Sequence, residues 1–180
     1  VWQKEQKLIN KLKEYADELD IAPYQKGEAT QKYMEMGTWL QSGEFLKDYA
    51  PDIFPHGSFA LGTVVKPNNR EEFDLDIISI LSIDSEETAN DIKKSIKERL
   101  EANPEYKQAL DRDETFETCL TFKFSKKFKM DVVPAINGDR AFITKMVDKY
   151  PSKAKYLQKL IRIPRKGGGW KHTNPVGFKD

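Results

Sequence analysis

The sequence predicts a mixed α/β (α+β) fold in which helices flank one small mixed sheet. Apolar residues with helical spacing open the chain, and apolar runs typical of strands lie in its middle. The predicted order is helix, helix, strand, turn, strand, helix, hairpin, helices, which is not the repeated βα alternation of a parallel sheet. A chain of 180 residues suits a single domain that buries roughly 70% of its unfolded surface.

The N-terminal part of the chain is predicted to form two helices and a short strand. One apolar stripe has intervals of seven, four, three and four residues and comprises Val1, Leu8, Leu12, Tyr15 and Leu19. It predicts a helix over 2–19, which Pro23 ends. A second helix is predicted over 27–41, followed by a strand at 53–55 that leads into Gly57-Ser58.

The strongest strand signal in the chain covers residues 73–83. Asp84 and Glu87 have the character of a capping box, so a helix is expected to begin just after them. One face of that helix would carry Ala89, Ile92, Ile96 and Leu100. We expect the helix to end before Asn103-Pro104, because proline disfavours helical backbone at the residue before it.

The second half of the chain is predicted to contain a hairpin and two further helices. Residues 115–124 and 128–134 alternate like strands, and the short basic segment 125–127 joins them. Helices near 140–148 and 152–161 would then start a C-terminal helical region.

Basic residues concentrate between residues 145 and 171, where nine Lys or Arg stand against one acid, although the net charge of the chain is +1. Such asymmetry suggests an acidic partner such as a triphosphate, with a solvated helix face as the alternative. A protein that grips long duplexes would be more basic overall, so nucleic acid is not expected as the main partner. Gly167-Gly168-Gly169 is interpreted as a hinge or the edge of a lid, and a phosphate cradle is the alternative.

Composition bounds the class of protein. Charged residues make up 33% and hydrophobic residues 38%, which describes a globular chain and not a disordered one. The single cysteine, Cys119, excludes a disulfide framework and indicates a reducing compartment, so a cytoplasmic location is expected. No apolar run approaches 18 residues and no signal-peptide pattern opens the chain, so no membrane partner is expected.

Three aspartates are the strongest candidates for catalysis. Asp74 and Asp76 are two residues apart on the predicted strand, so their side chains point to the same face. Asp131 lies on a later strand between Met130 and Val132, which would point inward. Adjacent carboxylates repel each other unless a cation lies between them, and hard oxygen ligands suit magnesium. The pattern predicts a phosphoryl-transfer site with two magnesium ions about 3.5–4 Å apart.

Gly57-Ser58 precedes the aspartate pair and is predicted to bind phosphate. Glycine lets the backbone approach a phosphate closely, and Ser58 can donate from its hydroxyl and its N–H. A helix N-cap is the alternative role for Ser58. His56 and Lys66 are interpreted as a local hydrogen bonder and a solvated loop lysine. A calcium loop and a Walker loop are excluded, because neither an Asp-x-Asp-x-Asp-Gly run ending in Glu nor a Gly-Lys-Ser/Thr run is present.

The order of these motifs resembles that of the nucleotidyltransferase superfamily typified by DNA polymerase β. Four stretches narrow the resemblance to the bacterial relatives of cyclic GMP–AMP synthase, the nucleotidyltransferases of anti-phage cyclic-oligonucleotide signalling. They are Phe-Pro-His-Gly-Ser-Phe-Ala-Leu-Gly-Thr-Val-Val-Lys-Pro at 54–67, Glu-Phe-Asp-Leu-Asp at 72–76, Met-Asp-Val-Val-Pro-Ala at 130–135, and Trp170 with Thr-Asn-Pro-Val-Gly-Phe at 173–178. The resemblance runs from about residue 30 to the C-terminus and implies a polymerase β-like nucleotidyltransferase domain.

The resemblance implies a metal-dependent enzyme that joins nucleoside triphosphates into a cyclic di- or oligonucleotide second messenger for anti-phage defence. Asp74, Asp76 and Asp131 would hold two magnesium ions, with manganese as a substitute. Asp131 would also act as the base for the ribose hydroxyl. Gly57 and Ser58 would hold the triphosphate.

Thr173 and Asn174 are predicted to contact the nucleotide. An Asn amide can pair with a base edge, and Trp170 or Phe178 offers a face on which a base can stack. A capped turn is the alternative for this segment, since Asn-Pro is a turn signal.

Two other functions stay open at this point. One is a nucleotidyltransferase that acts on RNA ends, a small molecule or a protein hydroxyl. The other is a catalytically silent module that binds nucleotide or a partner, although the presence of all three aspartates argues against it. Members of the resembled family are usually longer, so residues 1–180 are expected to be the catalytic core of a longer chain, whose C-terminal helical domain is absent or begins near residue 140. Nucleoside triphosphates are the expected partners, and a protein regulator is left open.

Overall fold

One mixed sheet forms the centre of the protein, in a computed structural model that describes residues 2–44, 49–66, 72–83, 87–112, 118–124, 128–175 and 177. Its strands are β1 (Asp52–Pro55), β2 (Phe73–Leu81), β3 (Leu120–Lys123), β4 (Phe128–Asn137), β5 (Ile161–Pro164) and β6 (Trp170–Thr173). β2 and β4 are parallel neighbours, and the other strand pairs are antiparallel. The predicted mixed sheet is confirmed.

The order of strands places β2 and β4 in the middle of the sheet. β1 lies outside β2. On its other side β4 has two neighbours, because β3 pairs with its first half and β5 pairs with its last two residues. β6 continues the sheet beyond β5. The predicted hairpin is present as β3 and β4, while residues 113–117 and 125–127 lie outside the described residues.

The helices precede, connect and follow these strands. They are α1 (Trp2–Leu19), α2 (Pro23–Gln41), α3 (Gly57–Leu61), α4 (Ala89–Glu101), α5 (Pro104–Ala109), α6 (Arg140–Lys149) and α7 (Ala154–Leu157), with a 3₁₀ turn at Pro151–Lys153. Among the described residues, no helix combines the length and the apolar character that a membrane crossing requires.

The alternation of side chains gives the sheet a main core face, while a smaller buried cluster of Ile78, Ala135 and Ile161 lies on the opposite face. Residues 73, 75, 77, 79 and 81 of β2 point to the core, as do 128, 130, 132 and 136 of β4. α2 and α4 contribute the opposing apolar layer with Met36, Leu40, Ile92, Ile96 and Leu100. Each large apolar side chain that is fully buried here contributes about 1.5–3 kcal/mol relative to exposure. The predicted apolar face of α4 is therefore confirmed.

A reciprocal contact between Trp39 and Arg99 joins α2 to α4. The Trp39 indole N–H donates to the Arg99 carbonyl at 3.0 Å, and the Arg99 guanidinium donates back to the Trp39 carbonyl at 2.6 Å. The guanidinium also lies over the indole ring, 4.0 Å from its centroid. These contacts hold together α2 and α4, the two helices that cover the main core face of the sheet.

Three helix starts differ from the sequence-based prediction. α2 begins at Pro23 and not at residue 27, because proline is favoured at the first helical position, where its missing N–H costs nothing. Thr88 caps α4 in place of the predicted Asp84, which lies outside the described residues; Thr88 and Asp91 form the capping box. Asn103-Pro104 ends α4 as predicted but also opens α5, since the Asn103 side chain accepts from the Glu105 N–H at 2.9 Å.

The predicted helix over 152–161 is wrong in its second half. α7 ends at Leu157, and the chain from Ile161 forms β5 because it pairs with the end of β4. The Gly167-Gly168-Gly169 run is the turn between β5 and β6, with φ of +84°, +98° and +76°. Glycine adopts this left-handed backbone without strain. The structure therefore has a hairpin turn where the glycine run in the sequence favoured a hinge or the edge of a lid.

Candidate active site

The register of three strands places a row of polar side chains on the face of the sheet opposite the main core. Asp76 on β2 lies beside Asp131 on β4, and Asp131 lies opposite Thr121 on β3. The Thr121 hydroxyl donates to Asp131 Oδ1 at 2.5 Å. Because partners in register point to the same face, the Asp76–Asp131–Thr121 row stands opposite the buried core.

A second row, of charged side chains, lies two residues further toward the starts of β2 and β4. Asp74 on β2 lies beside Lys129 on β4, which in turn lies opposite Lys123 on β3. Lys129 Nζ lies 3.5 Å from Asp74 Oδ1. Lys123 Nζ lies 2.6 Å from Asp111 Oδ2, in the chain segment that precedes β3. The three predicted aspartates thus share one face, and the outer row supplies positive charge next to them.

Gly57 lies against the Asp76 carboxylate. β1 pairs with β2 up to Pro55 and Ile77, and the His56 N–H then donates to the Asp76 carbonyl at 2.9 Å. Gly57 has φ of +61°, and a Cβ atom at this position would lie 2.5 Å from Asp76 Oδ2. Only glycine fits both the left-handed backbone and this separation. Gly57 of the Gly-Ser segment therefore lies against one member of the aspartate pair, Asp76.

Ser58 is the second residue of α3, and His56 occupies the N-cap position of that helix. The alternative role of Ser58 as an N-cap is therefore wrong. Its carbonyl accepts from the Thr63 N–H at 2.9 Å, which closes the short helix on itself. The Ser58 side chain is half-buried, one residue beyond the Gly57–Asp76 contact.

The electrostatics of the site favour a bound cation. Burial raises the pKa of the Asp76 carboxyl, His56 and Lys129 oppose the rise, and the carboxylates of Asp131 and Asp74 add to it. Burial lowers the pKa of the His56 imidazole, and Asp76 acts against that change. Within the described residues, His56 Nε2 is buried without a hydrogen-bond partner. A neutral imidazole next to a destabilised carboxylate leaves the negative charge of Asp76 without a full counter-charge.

The carboxylates fit magnesium bound partly by a substrate. In the part of the chain that is described, no three His, Cys, Asp or Glu side chains converge closely enough to enclose a metal ion by themselves. Magnesium commonly takes one or two carboxylates and completes its shell with waters and substrate phosphates. Asp74, Asp76 and Asp131 on one face of the sheet match that requirement, and the backbone of Gly57 lies directly against Asp76.

The structure places the other predicted nucleotide contacts away from this cluster. Thr173 pairs with Ile161, and the neighbouring β5–β4 pairs place both at the level of Asn137, roughly 20 Å beyond Asp131 along the strand at about 3.3 Å per residue. The Asn174 amide donates to the Tyr156 carbonyl at 2.8 Å and its oxygen accepts from the Gly177 N–H at 2.8 Å. These contacts favour the capped-turn alternative for Asn174, and nucleotide contact by Thr173 and Asn174 stays a prediction.

Trp170 and His172, which lie near that segment, also make contacts within the chain. The Trp170 indole donates to the Glu87 carbonyl at 3.1 Å, and its ring packs against the core. Phe178 lies outside the described residues. His172 stacks on Phe142 with ring centroids 4.1 Å apart, and burial lowers the pKa of its imidazole. Lys66 is exposed, as predicted.

Sequence reasoning missed Thr121 and Lys129, although the signal for both was present. Lys129 precedes Asp131 by two residues, the spacing that places side chains on one face of a strand. Thr121 is a polar residue between the apolar Leu120 and Phe122 of β3, and it is buried. Its pairing with Asp131 depends on the register of the hairpin, which the sequence alone did not specify.

Comparison with known proteins identifies the family. The Second Messenger Oligonucleotide or Dinucleotide Synthetase domain matches residues 7–180. The curated "c-di-GMP synthase" of Roseivirga ehrenbergii is 29% identical over 150 residues, which cover 82% of this chain and 35% of that protein.

Solved structures show the same fold. The Bradyrhizobium diazoefficiens CD-NTase CdnG, in complex with GTP, superposes with a TM-score of 0.69 at 18% identity, over 91% of this chain and 42% of that one. Vibrio cholerae DncV cyclic AMP-GMP synthase, in complex with the linear intermediate 5' pppA(3',5')pG, gives a TM-score of 0.57 at 13% identity, over 88% of this chain and 56% of that one. This chain thus spans about a third to somewhat more than half of the length of these relatives. It belongs to the Second Messenger Oligonucleotide or Dinucleotide Synthetase domain family.

Proposed function

We propose that the protein containing this chain is a nucleotidyltransferase that joins nucleoside triphosphates into a cyclic di- or oligonucleotide second messenger. The observation that carries the proposal is the contact between two predicted motifs: Gly57 lies against Asp76, and Asp76 lies beside Asp131. A backbone that a phosphate can approach and two carboxylates thus meet on one open face. The relatives support the product class, since they include a c-di-GMP synthase and a cyclic AMP-GMP synthase.

Asp74, Asp76 and Asp131 are the residues that would hold two magnesium ions, or manganese in their place. When bound, such ions neutralise phosphate charge and lower the pKa of the attacking hydroxyl. Burial and the neighbouring carboxylates raise the pKa of Asp76, so the bare cluster resists a second negative charge. Binding a cation removes that repulsion, which makes the cluster a better binding site than any of its members alone.

The residues of the chain supply positioning. Gly57 allows the triphosphate to approach the backbone, and Ser58 donates to it from its hydroxyl and N–H. Asp131 accepts the proton of the ribose hydroxyl as its oxygen bonds to the α-phosphorus, while the bond to the β-phosphate breaks and pyrophosphate leaves. Lys129 lies between Asp74 and Lys123 in the outer row, so its charge faces the site where phosphate oxygens would lie. Positioning and charge neutralisation supply most of the rate in phosphoryl transfer.

The biological setting follows from the same proposal. Nucleoside triphosphates are the substrates, and cytoplasm, where they are abundant and the single Cys119 stays reduced, is the compartment. Anti-phage signalling is the role that the resemblance of the motifs implies. Lys and Arg residues concentrated in 145–171 supply a surface for further phosphate groups, and solvated helix faces are the alternative for them.

Incubation with labelled nucleoside triphosphates tests the proposal. With magnesium, the protein should release a labelled product that resists phosphatase, because a cyclic oligonucleotide has no terminal phosphate. EDTA, and Asp131→Asn, should each lower its formation more than tenfold, a change of 1.4 kcal/mol or more in the barrier. Label transferred to an added RNA, small molecule or protein would support the second function. Nucleotide binding without turnover would support the silent module.

A further inference from the structure

We propose that Thr121 is a positioning residue that fixes the orientation of the Asp131 carboxylate. The inference rests on the proposed role of Asp131 as a metal ligand, and it names the residue that holds the Asp131 side chain in place. Thr121 does not reach substrate; it acts on the reaction through Asp131 alone.

The contact between the two side chains is direct and enclosed. Thr121 and Asp131 are register partners across β3 and β4, and the Thr121 hydroxyl lies 2.5 Å from Asp131 Oδ1. Thr121 is 1% exposed, so water does not compete for this hydrogen bond. An ionised carboxylate only accepts hydrogen bonds, so the hydroxyl proton of Thr121 points to Asp131. Hydrogen bonds of this kind, from a neutral donor to a charged acceptor, are among the stronger ones in proteins.

The rest of the Thr121 side chain is also constrained. Threonine is branched at Cβ, which restricts its χ1 rotamers within a strand. Leu120 and Phe122, which flank Thr121 in β3, are both buried in the core on the opposite face, so the strand is anchored on each side of Thr121.

The hydrogen bond from Thr121 occupies one of the two oxygens of the Asp131 carboxylate. Oδ1 is held by Thr121, which leaves Oδ2 to face the cluster. Asp74 provides the contrast, because its side chain is 59% exposed and its partner Lys129 lies at the looser distance of 3.5 Å. Of these two carboxylates, Asp131 is therefore the more closely held. Partners that orient a metal ligand commonly change metal affinity or activity by 10–100-fold when they are removed.

Manganese affinity measures this orientation without relying on turnover. Titration of Mn²⁺, followed by its electron paramagnetic resonance signal, would be performed with a non-hydrolysable nucleoside triphosphate present. Thr121→Val keeps the shape of the side chain but removes the hydroxyl, Thr121→Ala removes it by a second route if the valine variant does not fold, and Thr121→Ser retains it. Ser79→Ala is the matched control, since Ser79 is buried on the core face of β2 and its hydroxyl has no partner within the described residues.

We expect Thr121→Val and Thr121→Ala to weaken Mn²⁺ binding about tenfold, with Thr121→Ser and Ser79→Ala within about twofold of the wild type. Thermal unfolding of each variant separates this effect from loss of the fold. Equal affinity in wild type, Thr121→Val and Thr121→Ala would overturn the inference, as would a loss in Thr121→Ser as large as that in Thr121→Val. Asp131→Asn tests the premise separately. If this variant keeps the Mn²⁺ affinity of the wild type, Asp131 is not a metal ligand and the inference loses its premise.

Discussion

At the scale of single residues, the site depends on how closely a backbone and a carboxylate approach. Gly57 adopts a left-handed φ of +61° and has no room for a Cβ atom beside Asp76. Gly62, which ends the same short helix, adopts a similar φ of +68°, but no atom lies within 4 Å of the position of its missing Cβ. Substitutions at these two glycines therefore distinguish the free-energy cost of strained backbone from the effect of displacing Asp76.

Gly57→Ala and Gly62→Ala are expected to destabilise the fold by about 1 kcal/mol or more each, because both place alanine in left-handed backbone. Only Gly57→Ala also pushes the Asp76 carboxylate away, so it alone should lower turnover by at least tenfold. Urea unfolding and initial rates on both variants measure the two effects. Similar loss of turnover in both variants would show that backbone strain, and not the Gly57–Asp76 contact, governs activity.

Asp76→Asn should stabilise the metal-free protein near pH 7. Burial raises the pKa of the Asp76 carboxyl in the folded state, so its ionised form lowers folding stability as the pH rises through that pKa. The asparagine lacks this penalty, so its Tm should be higher than that of the wild type; each 1 kcal/mol corresponds to about 2–4 °C in a chain of this size. The advantage should shrink as the pH falls and vanish below the ordinary value of 3.8, where the wild-type carboxyl becomes protonated in both states.

Thermal unfolding between pH 7 and pH 4 checks this expectation. The exposed Asp148→Asn on α6 is the control that changes the same charge outside the site. An Asp76→Asn variant that is less stable than wild type at pH 7 would contradict the electrostatic account of the cluster. Magnesium with nucleotide should reverse the order of stability, since it binds the wild type more tightly.

At the scale of elements, the β5–β6 hairpin is where the sequence and the structure differ most. Three consecutive glycines form its turn, the Gly168 N–H donates to the Arg165 carbonyl, and the Arg165 N–H donates to the Gly169 carbonyl, both at 3.0 Å. Because the Gly168 N–H is used inside the turn, it is not available to a phosphate. The turn therefore has a structural role, and the phosphate-cradle alternative loses that donor.

Gly168→Ala should lower stability by roughly 1 kcal/mol while leaving triphosphate binding unchanged. The cost comes from its φ of +98°, since no atom lies within 4 Å of the position of the missing Cβ. Calorimetric titration with a non-hydrolysable nucleotide and thermal unfolding give the two quantities. A several-fold loss of affinity at unchanged stability would instead return the glycine run to a phosphate-binding role.

The elements that sequence reasoning predicted well are those with local causes. The stripe of α1, the apolar run of β2 and the face of α4 follow from periodicity, and the structure has all three. β5 and β6 are short, and their strand state depends on pairing with the end of β4, which is remote in sequence. The same limit applies to the site: the spacing of Asp74 and Asp76 was local, whereas Thr121 required the register of β3 against β4.

At the scale of the whole molecule, stability is distributed unevenly between the layers. α2, α4 and the buried face of the sheet hold the core, whereas α1 has no buried residue. The stripe that predicted α1 is exposed, with Leu8 60% and Leu12 58% exposed. The sequence correctly indicated a helix here, but an amphipathic pattern alone does not show what lies against its apolar face.

Leu12→Ser on α1 should therefore change the free energy of unfolding of this chain by no more than about 0.5 kcal/mol. Leu100→Ala on α4 should cost about 2–5 kcal/mol, because Leu100 is fully buried in the core. Urea unfolding of the two variants compares them directly. A loss of more than 1 kcal/mol for Leu12→Ser would show that α1 is stabilised by contacts beyond those of the described residues.

The central claim is that a nucleoside triphosphate and divalent cations bind on the face that carries Asp74, Asp76 and Asp131, beside Gly57-Ser58. A crystal structure with a non-hydrolysable triphosphate and Mn²⁺ tests it most directly, because anomalous scattering locates manganese independently of the phosphates. We expect manganese peaks at the aspartates and phosphate density against the backbone of Gly57 and Ser58. Manganese or triphosphate bound elsewhere, with these three carboxylates left without a cation at saturating concentrations, would contradict it.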